Sequence, residues 1–324
     1  MIAKPNIIKS HVLLFLAIAS FLKPGTLEVL GYGMINDLYN NIRILFSIII
    51  LFSYFKYMKI SKFMKFVSLV FIYALCSTYF SSIDSDLTKC IQSYGSLVCF
   101  CMLIELGVKY NEKALIHSMF INYFILVAFN LIFMYNEVGL ILGYTLEGND
   151  EEISFLSSSN LTGSYMIPAS IIGFLEAYNK RKSNYVPTLF LWSMIICSEL
   201  MIWSATSMIG IFLLIGFGII LLHKKIVYRP TLFRILIIGS ILILVLVTFF
   251  NAQEYFANFF ETYLHKDATM TGRTNVWQIG FIGFSTSPIF GCGYNSQTID
   301  NGLVQVLFNY GILGILLFSG LFLI

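Results

Sequence analysis

Charged side chains are scarce in this sequence. Asp, Glu, Lys and Arg make up 11% of its 324 residues, while 58% are hydrophobic. A soluble domain carries roughly 25% charged residues, so a water-exposed surface for the whole chain is excluded. The mean hydropathy of +0.82 agrees. Histidine is rare as well, with 4 residues, and no cluster of Asp, Glu and His in the expected outer loops has ligand spacing for a metal. Of the 6 cysteines, Cys76, Cys99, Cys101 and Cys197 lie within apolar runs, where cysteine acts as a small hydrophobe. Cys99-Phe100-Cys101 has neither zinc nor redox spacing, which leaves Cys90 and Cys292 as the one pair with access to an oxidising compartment. Gly291-Cys292-Gly293 lacks the third glycine and the preceding strand of a dinucleotide fingerprint. It reads instead as a tight turn after Pro288, with glycine where the backbone needs positive φ or close approach. Internal repeats and a soluble module are absent, and nothing points to nucleic acid.

What is there is a series of apolar runs. A bilayer crossing takes about 20 residues, and such runs lie near 7–22, 43–58, 64–81, 90–108, 114–135, 161–179, 186–203, 207–223, 231–250 and 303–324. The expected fold is an all-α integral membrane protein of about ten transmembrane helices, a single polytopic domain over 1–324. The longest polar stretches are 136–160 and 251–302, the second a large loop before the last span. The N-terminus resembles a signal peptide, with Lys4 and Lys9 ahead of Val12–Leu22; an uncleaved first span is the preferred reading because so many similar segments follow.

Basic residues set the orientation. Fifteen of the 20 Lys and Arg fall at one set of span ends: Lys4, Lys9, Lys56, Lys59, Lys62, Lys65, Lys109, Lys113, Lys180, Arg181, Lys182, Lys224, Lys225, Arg229 and Arg234. The other set holds only Lys23, Arg43, Lys89, Lys266 and Arg273. The first set is therefore expected in the cytoplasm, together with the N-terminus, and both long polar loops outside. Most acidic residues fall outside, so Lys266 and Arg273 stand out as cations in the last loop.

That loop carries the candidate chemistry. Thr271 is a possible helix N-cap, and 274–284 reads as a short helix with Val276, Ile279, Ile282 and Gly283 on one face. Arg273 would then sit in the first turn, where the dipole disfavours a cation unless an anion binds too. Helix N-termini bind phosphate, and a guanidinium grips it bidentately. The plainer alternative is that Arg273 and Trp277 anchor an interfacial helix. Phe256, Phe259, Phe260 and Tyr263 suggest an amphipathic helix, either lying on the outer leaflet or packed over the bundle. Asp300 and Asn301, just before the last span, suit either a general base and sugar ligand or a helix cap, with His265 as the rival base. Ser157 to Gly163, including Asn160, offers hydroxyls and an amide for carbohydrate or for a helix cap. Within the spans, Glu105 is expected to pair with Lys109, and Glu199 is an intramembrane acid and so a functional candidate.

Three segments resemble the O-antigen polymerase and ligase superfamily, the Wzy-type polysaccharide polymerases in particular. Thr271-Gly272-Arg273-Thr274-Asn275-Val276-Trp277 is similar to the family's Gly-Arg followed by Trp. Ser287-Pro288-Ile289-Phe290-Gly291-Cys292-Gly293-Tyr294-Asn295 resembles its Pro-x-x-Gly-x-Gly segment. Asp300-Asn301-Gly302 through Asn309-Tyr310-Gly311-Ile312-Leu313-Gly314 resembles its His-Asn motif followed by a Gly-x-x-Gly helix. Ser159 to Gly163 and Trp203 to Ser207 fall where the family has further short polar motifs. Two positions depart: Ser204-Ala205-Thr206 stands where relatives often have Ser-Arg-Gly, and Asp300 where many have histidine. Both departures favour polymerase over ligase. The family also continues through further spans, so the sequence is expected to be incomplete at Ile324.

The resemblance implies polymerisation of undecaprenyl-pyrophosphate-linked oligosaccharide repeat units on the outer face of the bacterial cytoplasmic membrane, with a flippase and a chain-length regulator as possible partner proteins. No metal or other cofactor is implied, in line with the lack of ligand spacing in the outer loops. Arg273, Asp300 and His265 become catalytic candidates. Lys266, Thr271, Trp277, Tyr294, Asn295, Asn301, Asn160 and Glu199 become substrate-binding candidates. A glycan ligase and a polysaccharide flippase or transporter are the alternatives.

Overall fold

The computed structural model describes residues 5–27, 30–81, 85–135, 141–144, 150–157, 161–180, 185–202, 205–223, 239, 242, 273–294, 299 and 302–320. Helices dominate: α1 (Asn6–Lys9), α2 (His11–Phe21), α3 (Gly33–Tyr57), α4 (Lys62–Phe80), α5 (Leu87–Tyr135), α6 (Gly163–Asn179), α7 (Val186–Ile202), α8 (Ala205–His223), α9 (Arg273–Thr286) and α10 (Gly302–Gly320). Four of them (α3, α4, α5 and α10) are long and apolar enough to cross a membrane; α2, α7 and a stretch of α8, Ser207–Gly216, are shorter apolar helices. By length and composition these helices are compatible with a helical membrane protein. The expected span at 231–250 lies outside the described residues apart from 239 and 242. One feature departs from an all-α chain. A short antiparallel hairpin pairs β1 (Ile141–Tyr144) with β2 (Asp150–Ile153) inside the expected outer loop, in register Ile141 to Ile153.

The runs expected at 90–108 and 114–135 are joined with almost no loop. α5 is interrupted at Asn111 alone, with φ −163° and ψ 71°, and the Asn111 side chain accepts from the Ala114 N–H at 3.3 Å. In a straight helix Gly107 and Leu115 would be about 12 Å apart, yet a Cβ on Gly107 would lie 2.8 Å from the Leu115 methyls. The chain therefore turns sharply at Asn111, and the missing side chain at 107 makes room for the return.

Glu105 does not pair with Lys109 as the sequence suggested. The Tyr54 hydroxyl, from α3, donates to its Oε2 at 2.5 Å, while the Lys109 ammonium lies over the Tyr110 ring, 5.3 Å from its centroid. A phenol from a neighbouring helix serves a half-buried carboxylate at fixed distance, while the lysine stem is free to reach the interface.

Contacts divide the described residues into two units, Met1–Lys59 with Cys99–Ile226, and Ile60–Val98 with Val227–Ile324. The first has a core of Phe120, Tyr123 and Val127 from α5, Met166 and Ala169 from α6, Leu191 and Trp192 from α7, and Ile211 from α8. The turn at Ser154–Ser157 is folded into it. The Gly25 N–H donates to Leu156 O at 2.8 Å, the Thr26 hydroxyl to Ser154 O at 2.8 Å, and the Leu156 N–H to the Asn130 side chain at 3.1 Å. Ser157 is buried, with its carbonyl and N–H bonded to Ser154, so it packs into the fold and is not at the surface. The second unit holds α4, the start of α5, α9 and α10, and with them the three motif segments.

Candidate active site

α9 begins at Arg273, close to where the sequence placed it, and the reason for its orientation lies in two glycines. Its inward face is Trp277, Gly280 and Gly283, all buried, whereas Ile279 and Ile282 are 52% and 66% exposed. Of the expected face of Val276, Ile279, Ile282 and Gly283, Gly283 is packed whereas Ile279 and Ile282 are not. A Cβ on Gly280 would stand 2.5 Å from Val304 Cγ1, and one on Gly283 2.0 Å from Phe308 Cε2. Small residues let helices approach closely, and the isoleucines lie outside that contact. Trp277 is 7% exposed and packs with Cys292, Ile299, Val304 and Phe308; its indole nitrogen has no partner among the described residues. A buried indole is not an interfacial anchor.

α10 is broken at Gly311, with φ +61° and ψ −162°. Residues 306 and 314 would be about 12 Å apart along a straight helix, but a Cβ on Gly314 would lie 3.6 Å from Val306 Cγ1. The helix bends sharply, and each half, at about 13 Å, is too short to cross a hydrocarbon core of about 30 Å alone. The expected single span at 303–324 is thus two short helical pieces over its described part.

Backbone freed by such a break must be satisfied at membrane depth, and the Pro288–Tyr294 loop does this. The N–H groups of Cys292 and Gly293 donate to Phe308 O and Asn309 O, each at 2.8 Å, while Ile312 and Leu313 donate to Pro288 O and Ile289 O at 3.0 and 3.3 Å. From α4, the Tyr73 hydroxyl donates to Tyr310 O at 2.7 Å, and the Ser77 hydroxyl to Phe290 O at 2.8 Å and Asn309 O at 3.2 Å. Gly291 and Gly293 both have φ +77°, the tight turn expected from their spacing. A Cβ on Gly291 would meet the Tyr310 backbone nitrogen at 2.3 Å, so here glycine serves both left-handed backbone and close approach.

Residues missed in the sequence complete the arrangement. Ser81 donates to Cys292 O. The Tyr294 N–H donates to the Thr78 hydroxyl at 3.0 Å, and the Asp86 N–H to Tyr294 O at 2.9 Å. The Tyr294 and Ser93 hydroxyls are 3.1 Å apart. Asp86 caps α5, its carboxylate accepting from the Lys89 N–H at 2.9 Å, with the Lys89 ammonium 3.4 Å away. Those interactions, the backbone one first, hold the Asp86 carboxyl below the usual carboxylate range. The signal that could have found these partners was the hydroxyl-rich end of the run at 64–81 and the start of the loop after it, Ser77, Thr78, Ser81 and Ser85. Aromatic rings back the loop: Tyr94 meets Tyr294 and Tyr310 edge-on at centroid distances of 6.1 and 5.8 Å, and Tyr310 stacks on Phe318 at 5.9 Å.

The six cysteines are free. Cys90 is not bridged to Cys292; the Thr78 hydroxyl approaches its sulfur at 3.5 Å, and the Cys292 thiol donates to Gly283 O at 3.1 Å. Of the sequence-derived site residues, Arg273, Trp277 and Tyr294 belong to the second unit. Glu199 belongs to the first unit, 1% exposed, and neither of its carboxyl oxygens has a partner among the described residues. Asn160, His265, Lys266, Thr271, Asn295, Asp300 and Asn301 lie outside the described residues. No group of His, Cys, Asp and Glu suited to a metal occurs among the described residues. No protein-family model matches the chain, and neither a curated protein nor a solved structure matches it.

Proposed function

We propose that the protein is a membrane glycosyltransferase that polymerises undecaprenyl-pyrophosphate-linked oligosaccharide repeat units outside the cytoplasmic membrane. One observation supports this above the rest. The described parts of the three motif segments (271–277, 287–295 and 300–314) pack on one another: residues 288–293 exchange backbone hydrogen bonds with 308–313, and Trp277 packs with Cys292, Val304 and Phe308, with Arg273 at the start of α9. A metal-free glycosyl transfer needs a cation at the leaving diphosphate and a base at the attacking hydroxyl. In this reading the acceptor hydroxyl oxygen bonds to the donor's first sugar, the bond from that sugar to the pyrophosphate oxygen breaks, and the lipid pyrophosphate departs. Arg273 neutralises the charge developing on the leaving group, aided by the positive end of α9. Asp300, or His265 in its place, takes the hydroxyl proton.

The test is elongation in membranes supplied with lipid-linked units. Arg273→Ala is expected to lose about 10²–10³ in rate, the loss that follows removal of one preorganised charge-stabilising group; unchanged elongation would overturn the role. Unchanged turnover by Asp300→Asn would remove the base. Deletion of the gene should leave short, single-unit surface glycan, whereas full-length polymer lacking its anchor would indicate a ligase.

The break at Gly311 favours a second reading, a flippase or transporter, because such proteins build substrate sites at discontinuous helices. Against it, the backbone groups around this break are bound by the 288–293 loop and by α4. Vesicles in which the purified protein moved lipid-linked sugar across the bilayer without lengthening it would favour this second reading.

A further inference from the structure

The N-terminal helices enclose a cavity of about 250 Å³ that the candidate active site does not use. One wall is a stripe of α3, where Phe46, Ile49, Ser53 and Lys56 recur every three or four residues and so share a face. That stripe runs about 15 Å at the helical rise. Asn6 of α1 and Leu13 of α2 stand on the other wall. The lining is mostly apolar, with Ile7, Leu13, Phe46, Ile49 and Phe52; its polar groups, Asn6, Ser53 and Lys56, include one cation and no acidic side chain among the described residues. The ion pairs among the described residues use Lys89, His117 and Lys180 as their cations. Lys56 has instead a ring beside it, with its ammonium 5.4 Å from the centroid of Tyr57.

We propose that this cavity binds one anionic lipid, with the phosphate against Lys56 and Asn6 and hydrocarbon along Phe46, Ile49 and Leu13. Three physical points carry the assignment. An ammonium with no carboxylate partner among the described residues, at the end of an apolar stripe, complements a phosphate that ends a hydrocarbon chain. The volume is below the roughly 300–1,000 Å³ of pockets that enclose a whole soluble ligand, so the occupant is held by a part of itself and continues into the bilayer. The sequence also places Lys56 in a basic run with Lys59, Lys62 and Lys65, where anionic headgroups gather. The site does not depend on the glycosyltransferase reading.

The test is native mass spectrometry of the full-length protein with phosphatidylglycerol and phosphatidylcholine of identical acyl chains. Wild type should retain one phosphatidylglycerol with about fivefold preference, which is the ~1 kcal/mol that one basic residue near an anionic surface supplies. Lys56→Gln should erase the preference while leaving the melting temperature in detergent unchanged. Ile49→Trp, which fills the apolar end, should lower retention of both lipids with Lys56 intact. A polyprenyl phosphate competitor that displaces phosphatidylglycerol in a Lys56-dependent manner would keep the chemistry and name the carrier as its source. Equal retention of the two phospholipids by wild type, or an undiminished preference in Lys56→Gln, would overturn the proposal.

Discussion

Substituting Gly311 by alanine tests the account of the broken helix most directly. At φ +61° and ψ −162° the backbone is in a region nearly closed to residues with a Cβ, at a cost of about 1–3 kcal/mol. The new methyl would also stand 2.4 Å from Ile289 O and 2.8 Å from the Gly291 nitrogen. Both are backbone atoms, so relief requires the loop to move. Moving it loosens the bonds from Ile312 and Leu313 to Pro288 O and Ile289 O, each worth about 1 kcal/mol net. A loss on the order of 3 kcal/mol is therefore expected at this clamp, enough to raise its open population by about a hundredfold. Cys292 reports on the opening, since it is 1% exposed and its thiol is held by Gly283 O. Maleimide labelling, followed peptide by peptide, should accelerate at Cys292 in Gly311→Ala by around that factor, with a lowered melting temperature. Gly302→Ala is the control: a Cβ there meets nothing within 4 Å, and alanine favours a helix. If Gly311→Ala labelled Cys292 at the wild-type rate, or if Gly302→Ala were equally disruptive, the clamp would not be what holds this segment.

Other expectations concern the same unit. Trp277→Phe removes a buried donor that lacks a partner among the described residues, so stability should hold or rise slightly while elongation falls; a variant of full activity would show that the indole N–H plays no part in binding. Asp86 has its carboxyl held below the usual range by the Lys89 N–H and ammonium. A depressed folded-state value means that its stabilisation is complete above the unfolded value, near pH 4, and fades as pH falls through the folded one. The melting temperature difference between wild type and Asp86→Ala should accordingly be constant through neutral pH and vanish in acid. A difference that did not shrink as the pH was lowered through the Asp86 titration would refute the cap as its source.

Composition and period determined a good deal of this protein by themselves. Apolar runs of bilayer length dictate helices, because backbone polar groups in hydrocarbon must be bonded within their own segment. Most runs have a described helix close to the expected place, from α2 through α8. The turn glycines at 291 and 293 were legible too, since their spacing after Pro288 admits few other conformations. Which face of α9 packs was not legible. Ile279 and Ile282 look like core by hydropathy, but in a bilayer both faces are equally welcome to oil, and the packed face is chosen by how closely helices approach at Gly280 and Gly283. The break in α10 was equally invisible, because Gly311 within an apolar run reads as helix until a loop eighteen to twenty-three residues upstream supplies the hydrogen bonds that let it bend. The partners of Tyr294 on α4 and α5 were hidden for the same reason. Hydrophobicity is a property of the local chain, so the sequence alone decides what enters the membrane; hydrogen bonds and close contacts join residues hundreds of positions apart, such as Tyr73 and Tyr310, and only the tertiary structure decides those.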